Sequence, residues 1–341
     1  MLKKKQLAKK PIIIAEVGQN HQGNVKIAEE YIKDFAQLGA NVIKFQTRNN
    51  RYLFSKNAYE KIYNSENAFA ETYGKHREKL ELSRKDLLYL KSLCKKHKVK
   101  FMSTPFDEKS LNLLMDINVD LIKIASFDLG NLPLIEKIAK CKLPTVISTG
   151  GGKIDHIKAS VKILSRYNSN IAILHCVSEY PCKSDSLGLN KIRALQKIFP
   201  KFSVGLSDHF NGILSGPLAY MMGARVFEKH VTFNRAWKGS DHKFALEPNG
   251  FRMFVRDINR VPTMMKEKND KLLGKESVFK KLGKSIIVNK NLKKGTKLKI
   301  SDLSGKIFEK EFVPIRETYK FMNKKLNKSL QKGQPITFQD I

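Results

Sequence analysis

Short β-branched runs alternate with amphipathic stretches along most of this chain, and that alternation limits the folds open to it. The runs are IIIAEVG at 12–18, NVIKFQT at 41–47, VKFMSTPF at 99–106 and DLIKIASFD at 120–128. They continue with PTVISTGGG at 144–152, IAILHCVSEYP at 171–181, FSVGLSDH at 202–209 and RVFEKHVTF at 225–233. Segments between them, such as 25–38 and 83–98, space their apolar residues for helices. About eight strand–helix repeats predict an α/β protein whose parallel strands close into a (β/α)8 TIM barrel over residues 1–270. A doubly wound open sheet is the competing arrangement. No GxGxxG follows the first strand, so its dinucleotide-binding form loses support.

The pattern changes after residue 250. Residues 251–275 read as a charged helix. LGKSIIVNKNLKKGTKLKISDL and KSLQKGQPITFQDI then read as short strands joined by KKG and QKG turns. This predicts a separate small β-rich domain over 283–341, and 341 residues suit one large domain plus a small one.

No apolar run approaches the roughly 20 residues of a membrane helix. The opening MLKKKQLAKKPIIIAEVG is basic and then apolar, but Glu16 interrupts a short apolar part, so it reads as a strand in a cytoplasmic protein. Cys94, Cys141, Cys176 and Cys182 form no CxxC pair. That argues against a zinc ribbon, suits a reducing compartment and marks most of them as small core residues. A net charge of +32 suggests either a nucleic-acid partner or a lysine-rich surface around anionic substrates. Lysine greatly outnumbers arginine and is spread along the chain. Base readout and phosphate forks favour arginine, so the surface reading is preferred and no nucleic acid is expected.

The strand runs begin apolar and end polar, and barrel sites lie at the C-terminal strand ends. Alternation puts Ile12, Ile14 and Glu16 on one face of the first strand, and Lys44 and Gln46 on one face of the second. The later strands offer Thr104, Lys123, Ser126, Ser148, Ser207, His209, Glu228 and His230 near their ends. A lone strand-end serine is usually a cap and a lone histidine a satisfied core residue; their coincidence at one end points to a site. Strands seven and eight are neighbours, so His209 and His230 converge on one point, as ligands of a divalent metal or as two histidines hydrogen-bonded to backbone. Glu228 either orients His230 or is a paired buried charge. Lys44 and Lys123 repel inside one barrel unless an anion joins them. With four hydroxyls nearby they read as a phosphate or carboxylate pocket.

These residues lie in longer motifs. They include AEVGQNHQG at 15–23, KFQ at 44–46, TYGKHREKLELS at 72–83, STPFD at 103–107 and KIASFDLGNLPLI at 123–135. ISTGG at 147–151, YP at 180–181, GLSDH at 205–209, EKH at 228–230 and WKGSDH at 237–242 complete the set. Together they resemble the sialic acid synthase family, which condenses phosphoenolpyruvate with N-acetylmannosamine or its 6-phosphate. The resemblance spans essentially the whole chain, and GQNHQG, TYGKH and WKGSDHKFALEP are most similar to the animal-type branch. It implies a divalent metal, Mn²⁺ or Mg²⁺, on His209 and His230. It implies phosphoenolpyruvate among Lys44, Thr104, Lys123, Ser126, Ser148 and Ser207, and the sugar against Glu16, Gln46, Tyr180 and Asp241. Ser178 joins the substrate-binding set, where bacterial free-sugar members often carry asparagine. Residues 283–341 resemble the family's antifreeze-like (SAF) domain, which implies a domain-swapped homodimer whose tail closes the partner's barrel. The tail departs from the family in one respect: SGKIFEKEFVP has no arginine where an RPG-like stretch is usual.

Two other functions fit parts of the sequence. A Schiff-base aldolase on the same barrel would use Lys123. A non-enzymatic polyanion- or ice-binding protein would use the basic surface and the tail, but has no need of the polar strand ends.

Overall fold

The computed structural model describes residues 2–7 and 10–341. The chain divides into two compact units, one ending at Met264 and the other running Met265–Ile341. In the first, eight parallel strands close on themselves in chain order. They are β1 Ile12–Gly18, β2 Val42–Thr47, β3 Lys100–Pro105, β4 Leu121–Ile124, β5 Thr145–Ser148, β6 Ile171–Cys176, β7 Ser203–Asp208 and β8 Val226–His230. Helices follow the strands, as the alternation predicts. Helix Val25–Gln37 shows why they form: Asn24 caps it by accepting from the Lys26 and Ile27 amides, and Ala28, Tyr31, Ile32 and Phe35 make one buried stripe.

Strand alternation sorts the core into two shells. Ile13, Ala15, Ile43, Phe45, Phe101 and Phe227 point outward and pack under the helices. Ile12, Ile14, Val42, Met102, Leu121, Val146 and Val226 point inward. Leu2 and Leu7 join that inner cluster from the N-terminal segment. They are tied down where the Leu2 amide donates to Asn170 Oδ1 at 2.8 Å and Ser203 Oγ donates to the Leu2 carbonyl at 2.8 Å. The N-terminal end of the lumen is therefore apolar and plugged, and polar groups collect at the other end.

Several sequence boundaries move. The runs predicted to 128, 152 and 181 end as strands at Ile124, Ser148 and Cys176. Ser126–Asp128 winds into a 3-10 turn, and a Cβ on Gly150 would lie 2.3 Å from Ser178 Oγ, so the backbone leaves the sheet there. The charged helix predicted over 251–275 is Pro248–Met264, followed by a turn at Asp270–Leu272 and a short helix Ser277–Leu282. Its buried stripe of Phe251, Phe254, Val255, Ile258 and Val261 ends there. Beyond it KEKNDK has no apolar face to pack.

The second unit holds β9 Ser285–Val288 antiparallel to β10 Leu303–Lys306. Ile286, Val288, Leu298, Phe321, Leu330 and Ile336 form its core. The glycines of the KKG and QKG turns, Gly295 and Gly333, both have φ of +85°, which a side chain resists.

Gly205 on β7 faces the inner shell where the neighbouring strand leaves no room for a side chain. An added Cβ would meet the Val226 carbonyl oxygen at 2.0 Å and Leu174 Cδ2 at 2.6 Å. The carbonyl belongs to the neighbouring strand and moves only if the barrel register moves. Gly205→Ala is expected to lower unfolding free energy by about 1–3 kcal/mol, read from the urea midpoint. An unchanged midpoint would show that the barrel is not packed this closely there.

Candidate active site

Strand register brings the polar ends together. Glu16 pairs with Lys44 on one side and with His230 on the other. Ser207 pairs with Glu228, and Gln46 with Thr104. These residues line a cavity of about 360 Å³ at the C-terminal mouth, joined by Lys123, Ser126, Ser148, His209, Tyr180 and Asp241. Ser178 is the one expected site residue outside the wall: it is exposed, with its hydroxyl behind Gly150.

The two lysines carry their own counter-ions. Lys44 Nζ lies 2.6 Å from Glu16 Oε2 and 3.4 Å from Glu228 Oε1. Lys123 Nζ lies 3.8 Å from the same Glu228 oxygen. Glu228 is therefore a paired buried charge and makes no hydrogen bond that orients His230. Burial would push its carboxyl up, but Lys123 and Lys44 outweigh that and hold it at about 2. Burial pulls both lysines down; Glu16 and Glu228 reverse this at Lys44, while Lys123 stays below its ordinary value. Burial raises Glu16 despite Lys44. Ser148 Oγ is buried without a hydrogen-bond partner, so a donor beside the lysines remains free.

The two histidine rings stand 5.4 Å apart between centroids. His209 Nδ1 is bonded to the Val177 carbonyl at 2.7 Å, which leaves Nε2 unengaged. Burial pulls His230 down to about 3, so its ring is neutral, and its buried Nδ1 has no hydrogen-bond partner. Asp241 Oδ2 lies 3.8 Å from that atom. Among the described residues no group of three or more His, Cys, Asp or Glu forms a closed metal site. Two imidazoles with free nitrogen lone pairs do fit a cation whose other ligands are water and substrate.

Outward-facing neighbours brace the pair. Lys229, between Glu228 and His230, is fully buried with Nζ 2.7 Å from Asp208 Oδ2, and Ser215 Oγ donates to the same oxygen at 2.6 Å. This buried ion pair joins β7 to β8 just below His209 and His230. The loop after β8 is held by a bond from the Gly239 amide to Asn67 Oδ1 at 2.9 Å. It is also held by His242, whose Nδ1 lies 2.7 Å from Thr232 Oγ1. His242 is thus a buried brace, and the loop it anchors shows Asp241 to the cavity.

Sequence reasoning missed several wall residues. Cys176, expected as core filler, lines the cavity with Sγ 4.0 Å from His209 Nδ1. It follows Ala172 and Leu174 on the inward face of β6, so strand parity marks it. Arg48 continues the parity of Lys44 and Gln46 one step past β2. Arg77 sits on helix Tyr73–Lys79, far from any strand end, and no periodicity places it in the wall.

A family model described as the NeuB family matches residues 31–270. The chain belongs to the NeuB family. N-acetylneuraminate-9-phosphate synthase of Mus musculus is 33% identical over 330 residues, 96% of this chain and 92% of the relative. N,N'-diacetyllegionaminic acid synthase of Campylobacter jejuni is 34% identical over 292 residues, 84% of this chain and 87% of the relative. The crystal structure of the N-acetylneuraminic acid (sialic acid) synthetase of Leptospira borgpetersenii in complex with citrate superposes with a TM-score of 0.70 at 32% identity. It covers 77% of this chain and 89% of that one. The strand-end residues described above therefore belong to a NeuB barrel.

In this NeuB protein Glu81 sits behind the wall, accepting from the Arg48 amide at 3.0 Å and from Gln19 Nε2 at 3.1 Å. Burial pushes its carboxyl up to about 7, and Arg48 only partly offsets this. Ionising Glu81 therefore costs the folded state. Its contribution to stability is complete below pH 4.5 and is lost as pH rises through 7. Between those limits wild-type unfolding free energy should fall relative to Glu81→Gln by on the order of 3 kcal/mol. Denaturant titrations of both proteins across the window check this, and a constant difference would refute it.

Proposed function

We propose that this chain condenses phosphoenolpyruvate with an open-chain N-acetylmannosamine-type sugar, giving a sialic-acid-type nonulosonate and inorganic phosphate. One observation carries the reading: a single cavity joins a buried lysine–carboxylate array to two imidazoles with free nitrogens. The first presents two ammonium groups and the unpartnered Ser148 hydroxyl to an anion that competes with Glu16 and Glu228, and the second presents free nitrogens to a cation that would polarise a carbonyl.

Phosphoenolpyruvate lies among Lys44, Lys123, Thr104, Ser126, Ser148 and Ser207. The lysines hold its charged groups in place, so their contribution is placement and electrostatic preorganisation. Gln46, Tyr180 and Asp241 take the sugar hydroxyls. His209 and His230 would hold a divalent cation, Mn²⁺ or Mg²⁺, which supplies Lewis acidity to the sugar carbonyl when bound. The enol carbon of phosphoenolpyruvate attacks the aldehyde carbon, and the former aldehyde oxygen takes a proton. Water adds to the cationic C2 and gives up a proton. The C2–O bond to phosphate then breaks as the C2 hydroxyl passes its proton to the departing phosphate, leaving the ketone and inorganic phosphate. Glu16, raised by burial and 2.6 Å from Lys44, is placed to exchange the sugar proton. Burial, which pulls the Lys123 ammonium below its ordinary value, also suits a Schiff-base aldolase. Borohydride trapping with pyruvate separates the two, because only the aldolase is inactivated.

We also assign residues 283–341 as an antifreeze-like (SAF) domain that caps the barrel of a partner chain in a homodimer, following a barrel domain of 1–270. The support is the resemblance, together with a separate core and the exposed Val278 and Leu282 just before it. The described residues include no helix long and apolar enough to cross a membrane, and all four cysteines are free. The reading places the enzyme in the cytoplasm.

Phosphate release from phosphoenolpyruvate, assayed with a panel of hexosamines, tests the reaction. Lys44→Met and Lys123→Met should raise KM for phosphoenolpyruvate by roughly 10- to 150-fold, the loss expected for a hydrogen bond to a charged group. His209→Ala should abolish turnover and lower bound metal. A selective loss of sugar affinity in the lysine variants would mean that the two halves of the pocket are assigned in reverse.

The capping role predicts complementation. A chain ending near residue 280 and a full-length His209→Ala chain should each be inactive, yet regain activity when mixed under subunit exchange. Heterodimers that form without activity, or a truncated chain that is fully active, would remove the cap from the mechanism.

A further inference from the structure

Side chains two apart on β2 give the cavity an axis. Lys44, Gln46 and Arg48 share one face, each step about 7 Å further out. Lys44 belongs to the phosphoenolpyruvate end of the proposed reaction and Gln46 to the sugar. Arg48 therefore faces what lies beyond the sugar's hydroxyls. Its Nη2 donates to Gln46 Oε1 at 2.6 Å, and Gln46 donates to Glu16 at 2.8 Å, so the three are held in line.

Arg48 is buried, with its side chain 8% exposed and its guanidinium 3.8 Å above the Phe106 ring centre. Its Nη1 has no hydrogen-bond partner: the nearest carboxylate oxygen, on Glu81, is 3.7 Å away. A buried guanidinium nitrogen with nothing to donate to is costly unless a ligand supplies the acceptor. Arg77 lines the same wall, oriented by Gln19 Oε1 at 2.5 Å and Tyr73 Oη at 2.8 Å. A smaller cavity of about 70 Å³ adjoins through Arg77, Ser240 and Asp241 and adds Lys238. Two carboxyls stand near this end. Burial leaves Glu81 titrating at about 7, so it is only half ionised at neutral pH. Asp241 is engaged by Ser240 Oγ at 2.8 Å and stands beside His230. The wall keeps an excess of positive charge facing the far end of the sugar.

Resting on the reaction proposed above, we infer that Arg48 and Arg77 form a subsite for a phosphate on the terminal carbon of the sugar, so that the substrate is a hexosamine 6-phosphate. The condensation adds three carbons at the aldehyde end, which makes the product a 9-phosphate. A phosphate dianion matches two guanidiniums in charge and in forked geometry, whereas a terminal hydroxyl leaves Arg48 Nη1 uncompensated. Overall similarity does not decide the point. A relative named as a 9-phosphate synthase and one named as an N,N'-diacetyllegionaminic acid synthase are 33% and 34% identical to this chain.

The test compares N-acetylmannosamine with N-acetylmannosamine 6-phosphate at saturating phosphoenolpyruvate, following C–C bond formation by the nonulosonate product. Wild type should prefer the phosphorylated sugar in kcat/KM by roughly 100-fold or more. Arg48→Gln and Arg77→Gln should each erase most of that preference through KM for the phosphorylated sugar, leaving KM for phosphoenolpyruvate within about twofold. Arg48→Lys should recover part of it, because the charge returns without the fork. Equal or better use of the free sugar by wild type overturns the subsite and leaves the condensation standing. The same follows if the glutamine variants lose both sugars equally. Turnover with neither sugar overturns the condensation reading on which the subsite rests.

Discussion

Four opposite charges share one layer of the barrel lumen, and the site depends on their alternation. Glu16, Lys44, Glu228 and Lys123 are all buried. Each alone would be prohibitively costly in that position. Arranged as Glu16–Lys44–Glu228–Lys123, with neighbours 2.6 to 3.8 Å apart, they offset one another's burial, most fully at Lys44 and Glu228. Such an array is fixed before any substrate arrives, which is what electrostatic preorganisation requires. It also explains why the lumen tolerates two lysines that a sequence reading expects to need an external anion.

The barrel supplies the restraint that makes this array possible. An apolar inner shell closes one end, so polar side chains of the same parity can emerge only at the other. On the outer face, the Lys229–Asp208 pair sits behind the two histidines and stiffens the β7–β8 seam where their spacing is set. Beyond the strands, the wall is completed by the connecting segments: Asp241 comes from a segment anchored by His242, and Arg77 from a helix inserted between β2 and β3. The cavity thus has a rigid inner half made of strands and an outer half made of loops.

Strand parity made much of the inner half readable. Glu16, Lys44, Gln46, Glu228 and His230 follow apolar residues at even spacing, and the structure lines all of them along the cavity. Ser178, named from the resemblance and not from parity, lies outside the cavity wall because the chain has left the sheet by that point. Cys176 was legible by the same parity and was passed over because a cysteine reads by default as core. The charged helix over 251–275 was drawn too long, since charge continued after the apolar stripe had ended.

The sequence by itself determined the barrel, the end at which polar groups gather and the two histidines on adjacent strands. Those follow from local alternation, and a period-two pattern transmits them without long-range knowledge. Only the tertiary structure decided which charges neutralise which, that His242 braces while Asp241 faces the cavity, and that Arg48 and Arg77 meet on one wall. Those facts depend on distances between segments far apart in the chain. The partner of a buried charge is set by a few ångströms in a low-dielectric interior, and no local pattern records them.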